Sequence, residues 1–317
     1  MINRRIIRIK VLQTLFSYNS GALDDLDKAE KDLIYTFERI YDLYHNILLL
    51  LVELSDFANL KIEKAKTKLI TTEDDLNPNT KFVDNKIFVQ LKENRQLNEY
   101  LNDRKYSWTN NNQDVLKDIY QTFSESEEFI KYMNSDDNSY DADKRILLYL
   151  IEIILYNCKS LYSTLEEESI FWIDNIDFVL LATTITVDKL SIGHDMNRKL
   201  LRQFKNNDDK DFAIELLHKT ILNSDKYTEI IKKNIINWDF KRISFIDRII
   251  LQMSLAELIE FPEIPIKVSL NEYIELAKKY GIPKKSSNFV NGILDKIVKN
   301  LKKENIIKKT GRGLKDN

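Results

Sequence analysis

Apolar positions recur at spacings of three and four along most of this chain, the mark of amphipathic helices. The clearest series is Leu33, Phe37, Ile40, Tyr44, Ile47, Leu51 and Leu54, which predicts one long helix running on through Leu60 to about residue 69. Residues 3–18 predict a first helix, in which Arg4 and Arg8 stand one turn apart with Arg5 beside them. Leu12, Leu15 and Phe16 supply its apolar contacts, and Gly21 with Asp24 and Asp25 marks the turn that follows. After a Pro78-bearing linker at 74–85, helical patterning returns at 87–101, 115–132, 144–165 and 173–190, with polar breaks at 134–143 and 191–209. The last third predicts helices at 211–223, 226–237, 244–260, 269–280 and 286–303. Ser269-x-x-Glu272 reads as a capping box that opens the fourth of these. Gly281 reads as the residue that ends it, with Pro283 barring continuation. Gly292 lies inside the fifth, where a helix tolerates glycine when a backbone or ligand must come close. The adjacent Asn291 is a candidate to satisfy a neighbouring loop.

Composition narrows this to an all-α fold. Six glycines and four prolines among 317 residues leave little material for an all-β fold or a phosphate-cradling loop. The lone cysteine, Cys158, falls in the predicted 144–165 helix and reads as a small buried hydrophobe. The longest apolar run, 47–52, is too short to span a bilayer. The Arg-rich start lacks the pattern of a secretory signal, and it continues directly into predicted core, so a cytoplasmic location is expected. His45, His194 and His218 have no Cys or second His at metal-ligand spacing and are expected at surfaces or interfaces. No nucleophile elbow, P-loop or dinucleotide fingerprint occurs. The acidic clusters at 73–75 and 166–168 fall in linkers or at helix ends. A non-enzymatic protein without cofactor or metal is expected.

Charge is unevenly placed. The net charge is −2, yet residues 1–19 carry +4 and residues 267–317 carry 13 basic against 5 acidic residues, leaving −14 for the middle. Basic ends around an acidic centre suggest that the ends contact a polyanion.

The segment from Trp238 to Asp295 is the most specific. It reads Trp238-Asp239-Phe240-Lys241-Arg242-Ile243, Ile246-Asp247-Arg248, Ala256-Glu257-Leu258 and Phe261-Pro262-Glu263-Ile264-Pro265. Lys267-Val268-Ser269-Leu270-Asn271-Glu272, Tyr273 through Gly281 and Phe289-Val290-Asn291-Gly292 follow, ending on Leu294-Asp295. In the order of these blocks it resembles the C-terminal half of the NusB family of transcription antitermination factors. Arg4-Arg5-x-x-Arg8 before Val11-Leu12-Gln13 resembles the family's arginine-rich first helix. Ile6 stands where a third consecutive arginine is common, and Lys10 is a candidate substitute.

The resemblance implies a NusB-like helical bundle of two packed subbundles, with an additional helical insertion. Residues 1–54 and 206–303 would form the bundle, 55–205 an acidic insertion or imperfect duplication, and 304–317 a disordered basic tail. A faint echo between Ile176-Asp177 and Ile246-Asp247, each after a tryptophan, fits the duplication. The resemblance also implies binding of single-stranded boxA-type leader RNA together with ribosomal protein NusE, tethered indirectly to elongating RNA polymerase. The implied RNA-binding residues are Arg4, Arg5, Arg8, Lys10, Lys278, Lys284, Lys285, Phe289 and Lys296, and the implied partner-binding residues are Phe16 and Asp247. Phe289 could stack on an unpaired base or pack in the core. Asp247 could face the partner or complement a helix dipole. This mode of binding requires the basic segments from both ends to meet in one continuous groove. A helical protein–protein scaffold without RNA affinity is the alternative. The same module also occurs fused to ribosomal-RNA methyltransferases, but no cofactor loop or catalytic cysteine motif follows it here.

Overall fold

The computed structural model describes the chain apart from residues 24, 194–196, 236–239 and 317, and the side chain of residue 316. Asp24 of the expected turn, His194, and Trp238 and Asp239 of the family-like segment lie outside the described residues. Among the described residues the fold is all-α, with one isolated bridge between Ile2 and Phe204 and no strand. Helix α1 (Arg4–Asn19) is capped by Asn3, whose side chain accepts from the backbone N–H groups of Arg5 and Ile6. Helix α2 is Leu26–Lys66.

Two compact units follow from the packing: a terminal unit, Ile2–Thr36 with Phe204–Asn317, and an inserted unit, Met1 with Phe37–Gln203. The division falls inside α2, not at the expected 54/55. From Phe37 onward, α2 is gripped by later parts of the inserted unit. The buried indoles of Trp172 and Trp108 donate to the carbonyls of Arg39 and Asn46.

The inserted unit continues with α3 (Glu73–Leu76), α4 (Lys86–Lys92), α5 (Arg95–Asn102), α6 (Trp108–Asn111), α7 (Gln113–Ser124) and α8 (Glu127–Asn134). Then come α9 (Tyr140–Tyr149), a π-helical stretch (Leu150–Leu155), α10 (Lys159–Glu168), α11 (Ile170–Ile173) and α12 (Ile176–Asp188). Many of its polar breaks are caps: Asn85, Asn94, Ser107, Ser126, Ser139 and Ser169 each accept a backbone N–H of the next helix. The predicted 144–165 helix runs on through the π stretch and breaks at the turn after it, so Cys158 sits half-buried as the residue before α10, beside Ser160. Phe82, Phe88, Phe123 and Phe129 pack edge to face in the core, with centroids 4.8 to 5.4 Å apart. His45, expected near a surface, is fully buried, stacked on Tyr100 at 3.6 Å and edge-on to Tyr41 and Tyr44. Its Nδ1 lies 2.8 Å from the Tyr41 carbonyl, so the bond requires Nδ1 to carry the proton. Burial pushes its pKa down to about 4.

The terminal unit adds α13 (Asn207–Leu222), α14 (Ser224–Asn234), α15 (Phe245–Glu260), α16 (Ile266–Tyr280) and α17 (Lys285–Lys303). Helix α15 is its axis. It packs on α1, α13, α14, α16 and α17, and Ile249, Leu251, Met253, Leu255 and Leu258 are buried around its circumference. His218 of α13 places Nε2 2.7 Å from Glu30. Two local expectations change. Helix α16 begins at Ile266, not at Ser269, because Ser269 and Glu272 are committed to interhelical polar contacts instead of a cap. Gly281 ends α16 in extended backbone, and glycine is needed there because a Cβ would sit 2.3 Å from the Ser286 Cβ. The tail, expected to be disordered, folds onto the loop after α15. Thr310 N–H donates to the Pro262 carbonyl and the Lys309 ammonium to that of Phe261, and Ile307 is buried.

Candidate nucleic-acid interface

The arginines of α1 are spoken for. Arg8 is buried, and its Nε and Nη2 each donate to Glu257 at 2.7 Å. The fully buried Glu257 also accepts from Ser269 Oγ at 2.7 Å and Tyr273 Oη at 3.0 Å, so each carboxylate oxygen takes two hydrogen bonds. Burial opposes the charge on Arg8, but the Glu257 carboxylate outweighs it and raises the guanidinium above its ordinary range. Arg5 makes a two-pronged contact with Glu272 at 2.8 and 3.1 Å, which holds that carboxyl below its usual range. Arg4 pairs with Asp209 at 3.0 Å and lies over the Phe212 ring. Lys10 is also buried, with its ammonium on Gln13. Of the expected basic face, only Arg4 and Arg5 keep substantial exposure, and each already faces an acid.

The unused positive charge gathers elsewhere. A groove of about 750 Å³ runs between the start of α15 and the start of α17. Arg242, Lys284 and Lys285 stand exposed along it, and Ile235, Ile243, Ile282 and Ile293 line it. The half-buried ring of Phe289 lines it too, as do Asn288, Gly292 and Asp247. The tight turn after Gly281 builds one wall: Lys284 adopts a left-handed backbone conformation at φ 60°, and buried Ser286 accepts from Ile282 N–H. Among the described residues a Cβ on Gly292 would meet nothing within 4 Å, so none of their backbones demands this glycine. Asn291 beside it is exposed.

These two regions do not merge. Arg8 meets Glu257 near one end of α15, while Phe16 meets Phe245 at the other, their ring centroids 5.2 Å apart. Helix α1 is thus antiparallel to α15, and the arginines lie roughly 15 Å of helix from Asp247 and the groove. The continuous cationic groove expected from the two ends is therefore replaced by a neutralised arginine cluster and a separate Lys–Arg groove. Lys278 is exposed and paired with Glu275 on its own helix. Lys296 is turned to the Asn234 carbonyl at the end of α14. Phe16 is 44% exposed. Arg242, Asn288 and Gly292 join the groove without having been singled out as binding residues. Arg242 belongs to the family-like block, but only the fold of the turn after α16 brings it opposite Lys284. Among the described residues no group of three or more His, Cys, Asp or Glu could hold a metal ion. No single helix among them is long and apolar enough to cross a membrane.

Comparison with known proteins adds a family likeness. The NusB family model matches residues 179–299. The transcription antitermination protein NusB of Salinibacter ruber is 45% identical over 105 residues, covering 33% of this chain and 65% of that protein. Its counterpart in Chloroherpeton thalassium is 39% identical over 107 residues, covering 34% and 50%. That of Bacillus licheniformis is 42% identical over 90 residues, covering 28% and 69%. The chain thus spans between half and two thirds of the length of the first two relatives. No solved structure matches.

Proposed function

The chain belongs to the NusB family, and from that premise we propose that it is a transcription antitermination factor whose terminal unit binds single-stranded boxA-type leader RNA together with ribosomal protein NusE. The observation that supports this most is the groove. Arg242, Lys284 and Lys285 supply cations for phosphates, and Phe289 a ring on which an unpaired base can stack. Arg4 and Arg5 would add phosphate contacts by exchanging Asp209 and Glu272 for the polyanion. Phe16, exposed beside Phe245, is the part of this unit best suited to the protein partner. Contact with RNA polymerase would come through that complex.

Binding of a short boxA-like RNA, followed by fluorescence anisotropy across salt concentrations with and without NusE, tests the reading. Affinity should fall with salt. Replacing Lys284 and Lys285 together by alanine should lower the logarithmic salt slope by about 1.4, or about 0.7 per phosphate contact on a single strand. Salt-independent binding, or none under either condition, would reject the proposal. The scaffold alternative draws on one observation, that Arg4, Arg5 and Arg8 all face acids. It predicts a stable complex with NusE and no RNA affinity in the same titration.

A further inference from the structure

The inserted unit has a cleft of its own, of about 380 Å³, lined by parts of α2, α6 and α11 and by the end of α10. Its walls are fixed. Trp108 and Trp172 line it, both buried and both tied through their indole N–H groups to carbonyls of α2. Asn46 of α2 is the group these walls leave unanswered. It is 3% exposed, and its side-chain amide has no hydrogen-bond partner among the described residues. Neither its oxygen nor its nitrogen is sealed from the cleft. A buried amide with both ends unused is costly, and an apolar side chain would suit a closed wall better. Two charges share the cleft without meeting. Lys105 is exposed and has no acidic partner among the described residues. The Glu168 carboxylate accepts from the neutral amide of Asn112 and faces no cation among them. Arg39, by contrast, is already paired with Asp42.

We infer that this cleft binds a free α-amino acid, its carboxylate on Lys105, its ammonium on Glu168 and an uncharged polar side chain on Asn46. Charge decides the class. A simple anion, such as a nucleotide phosphate, is repelled by Glu168, and a simple cation by Lys105 and Arg39. A zwitterion meets neither penalty and gives each unpaired charge a counter-ion. The volume lies at the small end of ligand pockets, which suits one small molecule. Asn46 offers both a donor and an acceptor, the complement of an amide or a hydroxyl. Glutamine, asparagine, serine and threonine carry such groups.

Isothermal calorimetry on the full chain, titrated with each of the twenty free L-amino acids up to about 10 mM, tests this. At least one of the four named amino acids should bind, and more tightly than alanine. Its α-hydroxy acid analogue, which lacks the ammonium, should bind about tenfold more weakly. Lys105→Gln and Glu168→Gln change exposed side chains and should each weaken binding of the amino acid by about tenfold. Asn46→Leu should bring its affinity down to that of alanine. Should Asn46→Leu not fold, the two exposed variants and the analogue decide the matter. Absence of binding by all twenty would overturn the inference and leave a cleft that holds only water. So would affinity unchanged by either charge variant, an α-hydroxy acid that binds as well, or a preference for charged or apolar side chains. None of these outcomes bears on RNA binding by the terminal unit.

Discussion

The terminal unit holds 28 Lys and Arg against 21 Asp and Glu, a net of +7, while the inserted unit holds 20 against 29, a net of −9. Both are all-α among their described residues, yet they bury polar groups in different ways. The terminal unit closes around a permanent ion pair, Arg8 with Glu257, supported by the Ser269 and Tyr273 hydroxyls. The inserted unit closes around an uncharged imidazole, His45, among three tyrosine rings. By charge alone the first unit would attract a polyanion and the second would repel it. The difference also separates their responses to mutation and pH.

The largest expected effect comes from breaking the ion pair on one side. Glu257→Gln leaves the Arg8 charge buried without its counter-ion, which should cost about 3–5 kcal/mol in denaturant unfolding. Hydrogen exchange should rise in α1, α13, α15 and α16 first. Adding Arg8→Met removes the stranded charge, and the introduced amide can accept from one of the Ser269 and Tyr273 hydroxyls and donate to the other, so the double variant should regain most of the loss. If the double variant is as unstable as the single, the ion pair contributes more than the avoided charge and the account of the terminal core is wrong.

Acid should act on the other unit. Free imidazole titrates at 6.5, and burial holds His45 at about 4. Between these values the unfolded chain binds the proton and the folded unit does not. Stability is therefore complete above pH 6.5, falls as the pH drops, and levels off near pH 4. The loss is about 3 kcal/mol from a shift of this size. Arg104 works with burial to disfavour the charge, while Asp42 and the Tyr41 carbonyl resist it. Arg8, raised by Glu257, does not titrate in this window. Hydrogen exchange compared at about pH 7 and about pH 4.5 should thus show faster opening around His45, and His45→Phe should remove that part of the pH dependence. Equal loss in wild type and variant would place the acid-sensitive group elsewhere.

Helix positions were legible in the sequence because a period of about 3.6 is a local property. Helices α1, α2 and α13 to α17 lie close to where the apolar spacing put them. What the sequence could not show depends on contacts made far along the chain. The acids that neutralise Arg4, Arg5 and Arg8 lie more than 200 residues away, so three arginines on one face looked free. The boundary at Thr36/Phe37 leaves no local mark, since the helix and its apolar stripe run through it unbroken. Ser269-x-x-Glu272 has the letters of a capping box, but both side chains are drawn to partners on other helices. His45 sits at helical spacing among tyrosines, a cue to burial that its polarity masked.

The smallest expected effect sharpens the comparison most. Gly292 is the one glycine inside an α-helix, and it lines the groove of the basic unit. An interior helical glycine costs about 1 kcal/mol relative to alanine; Gly281, by contrast, lies past the end of α16, where Ser286 presses in and requires a glycine. At Gly292 an added methyl has nothing among the described residues within 4 Å of it, so Gly292→Ala meets no described neighbour and should raise stability by up to about 1 kcal/mol. If the space belongs to a bound base, the same change should weaken RNA binding severalfold while the protein becomes more stable. Thermal unfolding and anisotropy on one preparation measure both. A variant that gains stability and keeps full affinity would show that the base does not reach this part of the wall, and the stacking site would have to lie nearer Lys284.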